Sequence, residues 1–225
     1  MASKQKAGRA LGPYVALIAD MVSSRTLSAS SRARVQEEFT KLIEGLNRLY
    51  KTDLRAKFVI TLGDEFQCLL RNPEIVPHLV WTLEKSFTAR PLRLGFGYGD
   101  IHTSIKEYAI NLDGPSLHNA RASMEHAKHH DLRGGVFTGF GPALDPALNG
   151  FARVLYHQRA NWPPRQHAVI FRLHDGLKGT EIAGELGITK QAVSRYASLA
   201  GWNAYLEAEQ GWSALLRTLE GPGKP

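Results

Sequence analysis

The chain has 225 residues, 43% of them hydrophobic and 22% charged, which is typical of a globular protein and excludes a wholly disordered one. Lys and Arg outnumber Asp and Glu by 28 to 21, and the net charge of +7 favours a polyanionic partner such as DNA or a nucleotide. The single cysteine, Cys68, excludes an internal disulfide and a cysteine-based zinc site. With no apolar run of membrane-spanning length and a short basic N-terminal tail in place of a signal peptide, we expect a cytoplasmic protein with no membrane partner.

Residues 12–150 alternate strand-like and helix-like segments. Tyr14–Ala19 is a near-continuous apolar run, typical of a strand covered on both faces, and apolar residues recur at helical spacing over 32–50. There follow strands at 57–61 and 65–70 joined by a three-residue turn, a helix at 73–87, a strand at 92–99, a helix at 115–130 and a short strand at 135–138. The order β-α-β-β-α-β predicts an α+β protein with a ferredoxin-like, or palm, domain.

The residue pattern changes after Pro163 and Pro164, where apolar runs typical of strands are replaced by the spacing typical of short amphipathic helices. We therefore predict a second, small all-α domain over residues 164–220. Its last helix, at 203–219, has an apolar face that would either close this small domain or pair with a second copy of the chain.

Residues 180–198 match the framework of a helix-turn-helix. A short helix at 180–186 precedes Gly187, which tolerates the positive φ of the turn, and a second helix capped by Thr189. The outward face of that helix offers side chains that can contact phosphates and base edges in a DNA major groove: Thr189, Lys190, Gln191, Ser194, Arg195 and Ser198. Since one copy would read only a few base pairs, we expect a homodimer on double-stranded DNA. The alternative is a helical bundle that packs on the first domain and touches no DNA.

Two or three carboxylates are predicted to meet at one end of the sheet. Asp20 ends the first strand, and Asp64 and Glu65 lie at the tip of the hairpin that a ferredoxin-like fold places beside it. Such a cluster is costly unless a cation neutralises it, which suggests Mg²⁺ or Mn²⁺ bridging the phosphates of a nucleotide. Ser23, Ser24 and Arg25 could line the phosphate site. The alternative is that Asp20 caps a loop, Asp64 occupies a turn, and residues 23–25 are an ordinary polar loop.

These segments resemble known nucleotide-converting enzymes. Gly63-Asp64-Glu65-Phe66 resembles the end of the GGDEF motif of diguanylate cyclases, with Leu62 in place of the first glycine. ALIADMV and the GDEF hairpin also resemble the two metal-binding segments of class III nucleotidyl cyclases, and GPSLHNARASME resembles their helix that carries an Asn and an Arg. This resemblance implies that Asp20 and Asp64 hold metal, that Gly63 and Asn119 line the nucleotide, and that Arg121 stabilises phosphate charge.

The whole chain resembles the SatD family more closely. ADMVSSR, TLGDEFQ, LGFGYGDI, DGPSLHNAR and the terminal helices that run into GWNAYLEAEQ follow in the family's order over residues 14–217. The resemblance implies the two-part architecture and no settled activity.

Three functional hypotheses follow from the sequence. The first is a DNA-binding transcriptional regulator whose palm-like domain binds a nucleotide with a divalent cation. The second is a metal-dependent nucleotidyl cyclase or nucleotidyltransferase with a DNA-binding appendage, in which Asp20, Asp64 and Arg121 are catalytic. The third is a degenerate palm domain that serves as a dimerisation platform.

Overall fold

The computed structural model describes residues 11–22 and 29–219, with side chains in the first helix described from residue 33. A 3₁₀ turn at Pro73–Ile75 precedes the second helix. The strands and α-helices, in chain order, are β1 (Leu11–Met21), α1 (Ala29–Leu49), β2 (Leu54–Leu62), β3 (Glu65–Leu70), α2 (Val76–Ser86), β4 (Leu92–Ile101), α3 (Pro115–His129), β5 (Val136–Thr138), α4 (Leu144–Ala160), α5 (Pro164–His174), α6 (Gly179–Leu186), α7 (Lys190–Leu199) and α8 (Trp202–Arg217).

The five strands form one sheet in the order β2-β3-β1-β4-β5. The central strand β1 pairs antiparallel with β3 and β4, β2 pairs antiparallel with β3, and the short β5 pairs parallel with β4. The first four strands therefore have the ferredoxin-like order, which confirms the predicted α+β palm fold. The β2–β3 turn differs from the prediction. It holds two residues, Gly63 and Asp64, because Leu62 still pairs with Glu65.

The two faces of the sheet bury different helices, because successive side chains of a strand point to opposite faces. From β1, Val15, Leu17 and Ala19 join a large core with α1, α2 and α4. Ala16 and Ile18 join a smaller core that α3 covers. Asp20 has the parity of the second set, so it lies on the α3 face of the sheet.

The LGFGYG sequence of β4 is explained by the close approach of α3. A Cβ atom at Gly95 or Gly97 would come closer than 3.0 Å to backbone atoms of Ala120. A Cβ atom at Gly99, whose φ is +150°, would come within 2.8 Å of the Pro115 ring. Alternate glycines thus form a groove in which the α3 backbone lies directly on the sheet.

The large core continues from the sheet into the C-terminal helices. Trp212 of α8 packs edge-on to Phe137 of β5, and Tyr205 of α8 packs against Trp81 of α2. The predicted boundary at about residue 164 falls at the turn between α4 and α5, and the buried residues on the two sides of this turn share that core. No helix in the described part of the chain is both long enough and apolar enough to cross a bilayer.

Helices α6 and α7 have a small core of their own with α5. Its fully buried members are Val169, Ile182 and Val193. The two helices are joined by a three-residue turn in which Gly187 has the left-handed φ of 62°, and the Thr189 hydroxyl caps α7 by accepting the Ala192 N–H at 3.1 Å. The expected turn glycine and N-cap of this segment are present, and the two helices lie within one residue of the expected bounds, 180–186 and 189–198.

We predict that Gly97→Ala destabilises the fold by about 3 kcal/mol, because the added methyl group overpacks against helix backbone that cannot rotate away. Gly45→Ala in α1 is the matched control, since a Cβ atom there meets nothing within 4 Å and alanine favours a helix. Urea unfolding of both variants measures the difference. Equal unfolding free energies for the two variants would show that α3 does not lie on the glycines.

Candidate functional site

Two acidic residues lie opposite each other on adjacent strands of the sheet. Asp20 of β1 is the register partner of Glu65 of β3, and the two residues are only 8% and 4% exposed. The predicted meeting of the first strand and the hairpin tip is confirmed by this register. Two buried carboxylates on neighbouring strands require compensating positive charge.

Arg121 of α3 compensates Glu65. Its Nη1 and Nη2 donate to the two carboxylate oxygens of Glu65 at 2.6 and 2.8 Å, and the Thr61 hydroxyl donates to Oε1 at 3.0 Å. Burial by itself would raise the pKa of Glu65, but the hydrogen bonds and charge of Arg121 outweigh it and lower this pKa below its ordinary value. Glu65 is thus a well-paired carboxylate in which both oxygens are engaged.

Asp20 is compensated less completely. Lys128 Nζ lies 3.4 Å from its Oδ2, and Arg93 Nη1 lies 3.8 Å from its Oδ1, which is beyond hydrogen-bond distance. The buried Oδ1 has no hydrogen-bond partner in the described part of the chain. Burial raises the pKa of Asp20, the charges of Lys128 and Arg93 offset part of that rise, and the nearby charge of Asp64 adds to it. Asp20 is therefore a buried carboxylate whose Oδ1 accepts no hydrogen bond from the described residues.

Asp64 ties the hairpin tip to the end of β1. Its backbone carbonyl accepts the N–H of Met21 at 3.0 Å, which holds the turn beside Asp20. Gly63, in the same turn, is exposed. The phosphate site expected at Ser23, Ser24 and Arg25 lies outside the described residues.

Asn119 and Arg121 do not converge on one pocket. Asn119 donates to the Tyr98 carbonyl of β4 at 2.9 Å and packs against Gly139, whereas Arg121 reaches Glu65 on β3. In this arrangement Asn119 fastens α3 to the sheet, and the guanidinium that was expected to meet phosphate holds a carboxylate. Their predicted contacts with a nucleotide stay predictions.

Sequence reasoning missed the basic partners of Asp20. Arg93 is the register partner of Asp20 on β4, and Lys128 follows Arg121 by seven residues, which places both basic residues on the same face of α3. The i, i+7 spacing of Arg121 and Lys128 is the sequence signal that these two side chains share a face. The spacing does not identify their partners, because those depend on how far α3 lies from the sheet.

The residues partly fit a divalent cation. In the described part of the chain, no group of three or more His, Cys, Asp or Glu side chains converges as a metal site. Both oxygens of Glu65 already accept hydrogen bonds, so the ligands that fit best from the predicted set of Asp20, Asp64 and Glu65 are Asp20, through its unpartnered oxygen, and Asp64. Mg²⁺ usually keeps several waters and takes one or two carboxylates plus substrate phosphates, so this pair suffices only together with a nucleotide.

A second candidate surface is the outer face of α7. All six residues expected to contact DNA (Thr189, Lys190, Gln191, Ser194, Arg195 and Ser198) are exposed. The far end of α7 is held by α4 and the turn that follows it, because Gln158 and the Trp162 indole each donate to the Ala200 carbonyl at 2.9 Å. The face is thus presented by an anchored helix.

Comparison with known proteins gives a family match and several similar solved structures. The solved structures include a bacterial light-regulated adenylyl cyclase (10% identity, TM-score 0.40, 58% of this chain and 77% of that one) and a guanylyl cyclase (10%, 0.40, 53% and 72%). A third is a regulator of polyketide synthase expression from Bifidobacterium adolescentis (16%, 0.24, 92% and 80%). No individually curated protein matches the sequence.

The family comparison covers the sheet and the acidic cluster described above. The model described as the SatD family matches residues 14–140, from β1 to the loop after β5, which is more than half of the chain. The chain belongs to the SatD family.

Proposed function

We propose that this protein is a DNA-binding transcriptional regulator whose palm-like domain binds a nucleotide together with Mg²⁺ or Mn²⁺. The observation that carries the proposal is the exposed, basic and polar face of α7, presented at the end of a glycine turn and a hydroxyl N-cap. Recognition helices of this type contact base edges through residues near their N-termini, which is where Thr189, Lys190 and Gln191 lie.

The electrostatics around α7 support contact with phosphates. No acidic residue occurs from Thr189 to Gly201. On the preceding helix, the Glu181 carboxylate accepts the Lys178 N–H at 2.6 Å and Glu185 pairs with Arg172 at 2.8 Å. The charge of Glu185 is therefore compensated within the helical unit, and Lys190 and Arg195 form no ion pair with the described residues, so their positive charge is available to DNA phosphates.

A ten-residue helix reads only a few base pairs, so specific binding calls for two copies. We therefore include a homodimer in the proposal, with half-sites about one helical turn of DNA apart or a multiple of it. The sedimentation coefficient of the free protein tests this part separately.

The unpartnered oxygen of Asp20 supports the nucleotide-binding part. A buried carboxylate oxygen without a donor is unfavourable, and a hard cation brought by a phosphate ligand would satisfy it.

The same oxygen of Asp20 favours the alternative function, a nucleotidyl cyclase or transferase. In that case Arg121 would have to leave Glu65 to stabilise phosphate charge. Mass spectrometry of the protein incubated with each nucleoside triphosphate and Mn²⁺ distinguishes binding alone from turnover.

We predict that Lys190→Ala and Arg195→Ala each weaken DNA binding about tenfold at fixed salt, because each removes a contact to phosphate or base. The probe is the duplex most enriched from a random library by the wild-type protein, and the readout is a gel-shift titration. Lys106→Ala removes the same charge from an exposed residue on the loop after β4 and serves as the control. Wild-type affinity in both α7 variants would refute the DNA-binding assignment.

We predict opposite behaviour for the two buried carboxylates. Asp20→Asn removes a charge with an unpartnered oxygen, so it should leave the unfolding free energy unchanged or higher in EDTA while abolishing binding of nucleotide with Mn²⁺. Glu65→Gln breaks the pair with the half-exposed Arg121 and should lower the unfolding free energy by about 2 kcal/mol. Urea unfolding and titration calorimetry give the two readouts. If Asp20→Asn binds nucleotide and Mn²⁺ as the wild type does, Asp20 is not the metal ligand.

A further inference from the structure

A cavity of about 260 Å³ lies where the sheet domain meets the C-terminal helices. Its walls come from α2, the loop before β4, α4 and α5, and they include the aromatic rings of Trp81, Phe87 and Phe171. Trp81 and Phe87 belong to the large core, whereas Asp20 lies on the α3 face. The cavity is therefore separate from the acidic cluster, and it stands independently of nucleotide and DNA binding.

The charged residues that line the cavity are mainly basic. Arg90, Arg133 and Arg159 face a single carboxylate, that of Glu84. Arg133 also pairs with Asp131 at 2.8 Å, but that aspartate is on the surface, with its side chain 72% exposed. The positive charge of the lining exceeds the negative charge, which favours an anion over a cation or a neutral molecule.

Arg159 has a nitrogen without a partner. Its side chain is 5% exposed, its Nε donates to Glu84 at 2.7 Å and its Nη1 donates to the Tyr205 hydroxyl at 2.5 Å. Its Nη2 is buried and has no hydrogen-bond partner among the described residues. A buried guanidinium nitrogen without an acceptor is unfavourable, and a carboxylate oxygen is the acceptor that matches its geometry.

The size and the walls of the cavity restrict the ligand further. The space equals that of about nine water molecules at ~30 Å³ each, which is too small to enclose a nucleoside triphosphate. An inorganic phosphate would leave the aromatic walls unfilled. We propose that this cavity is a binding site for a small aromatic carboxylate, with its ring among Trp81, Phe87 and Phe171 and its carboxylate toward the arginines.

Benzoate and its neutral isostere benzamide are the probes, and titration calorimetry on the full chain is the measurement. Benzoate should bind at least about tenfold more tightly than benzamide, because only the acid forms a charge-assisted hydrogen bond with an arginine. Arg90→Gln should weaken benzoate binding. Glu84→Gln should strengthen it severalfold, because it removes the single acidic group of the lining while keeping an acceptor for Arg159. A purely apolar cavity would respond to neither charge change.

A steric variant locates the ligand. Thr88 lies at the exposed rim of the cavity, so Thr88→Phe should block benzoate without disturbing the buried arginine. Thr40→Phe, at an exposed position on α1 away from the cavity, is the matched control and should bind benzoate as the wild type does. Equal affinity for benzoate and benzamide, no binding of benzoate, or unchanged binding in Thr88→Phe would each overturn the proposal.

Discussion

The contact between α3 and the glycines of β4 is the constraint on which the acidic cluster depends. With side chains at residues 95 and 97, the helix would be held away from the sheet, as helices packed on ordinary strands are. Arg121 and Lys128 project from this helix toward Glu65 and Asp20, and the 2.6 Å pair between Arg121 and Glu65 exists only at the short helix–sheet distance. Backbone packing thus decides which charges can be buried.

The two buried carboxylates differ in how completely their oxygens are paired. Glu65 has a bidentate arginine and a hydroxyl, so its charge is fully used in holding α3 to the hairpin strand. Asp20 has looser cationic neighbours and an oxygen with no donor among the described residues. Burial therefore opposes the charge of Asp20 and raises its pKa, whereas the pKa of Glu65 is lowered because Arg121 stabilises its charge.

The strand order and the C-terminal helix bounds could be predicted from the sequence because both follow from local rules. The β-α-β-β-α-β order leaves few topologies, and Gly187 and Thr189 mark a turn and an N-cap by their own chemistry. Asn119 and Arg121 are two residues apart and lie on nearly opposite sides of one helical turn, so the sequence indicates that they point in different directions. The strands that they reach could not be predicted, since those depend on the height and rotation of α3 that Gly95 and Gly97 set. The apolar face of α8 was visible in the sequence, but its placement on the sheet domain depends on Trp81 and Phe137, which are distant in the chain.

Adjacent residues of α5 belong to different cores. Ile170 is part of the large core of the sheet domain, while Val169 joins Ile182 and Val193 in the small one. A unit whose own core has three buried side chains opens at a lower free-energy cost than the sheet, so we expect the amide hydrogens of α6 to exchange with solvent before those of β1. The surface of α7 is thus connected to the large core at two places, through α5 and through the Ala200 carbonyl at its C-terminal end.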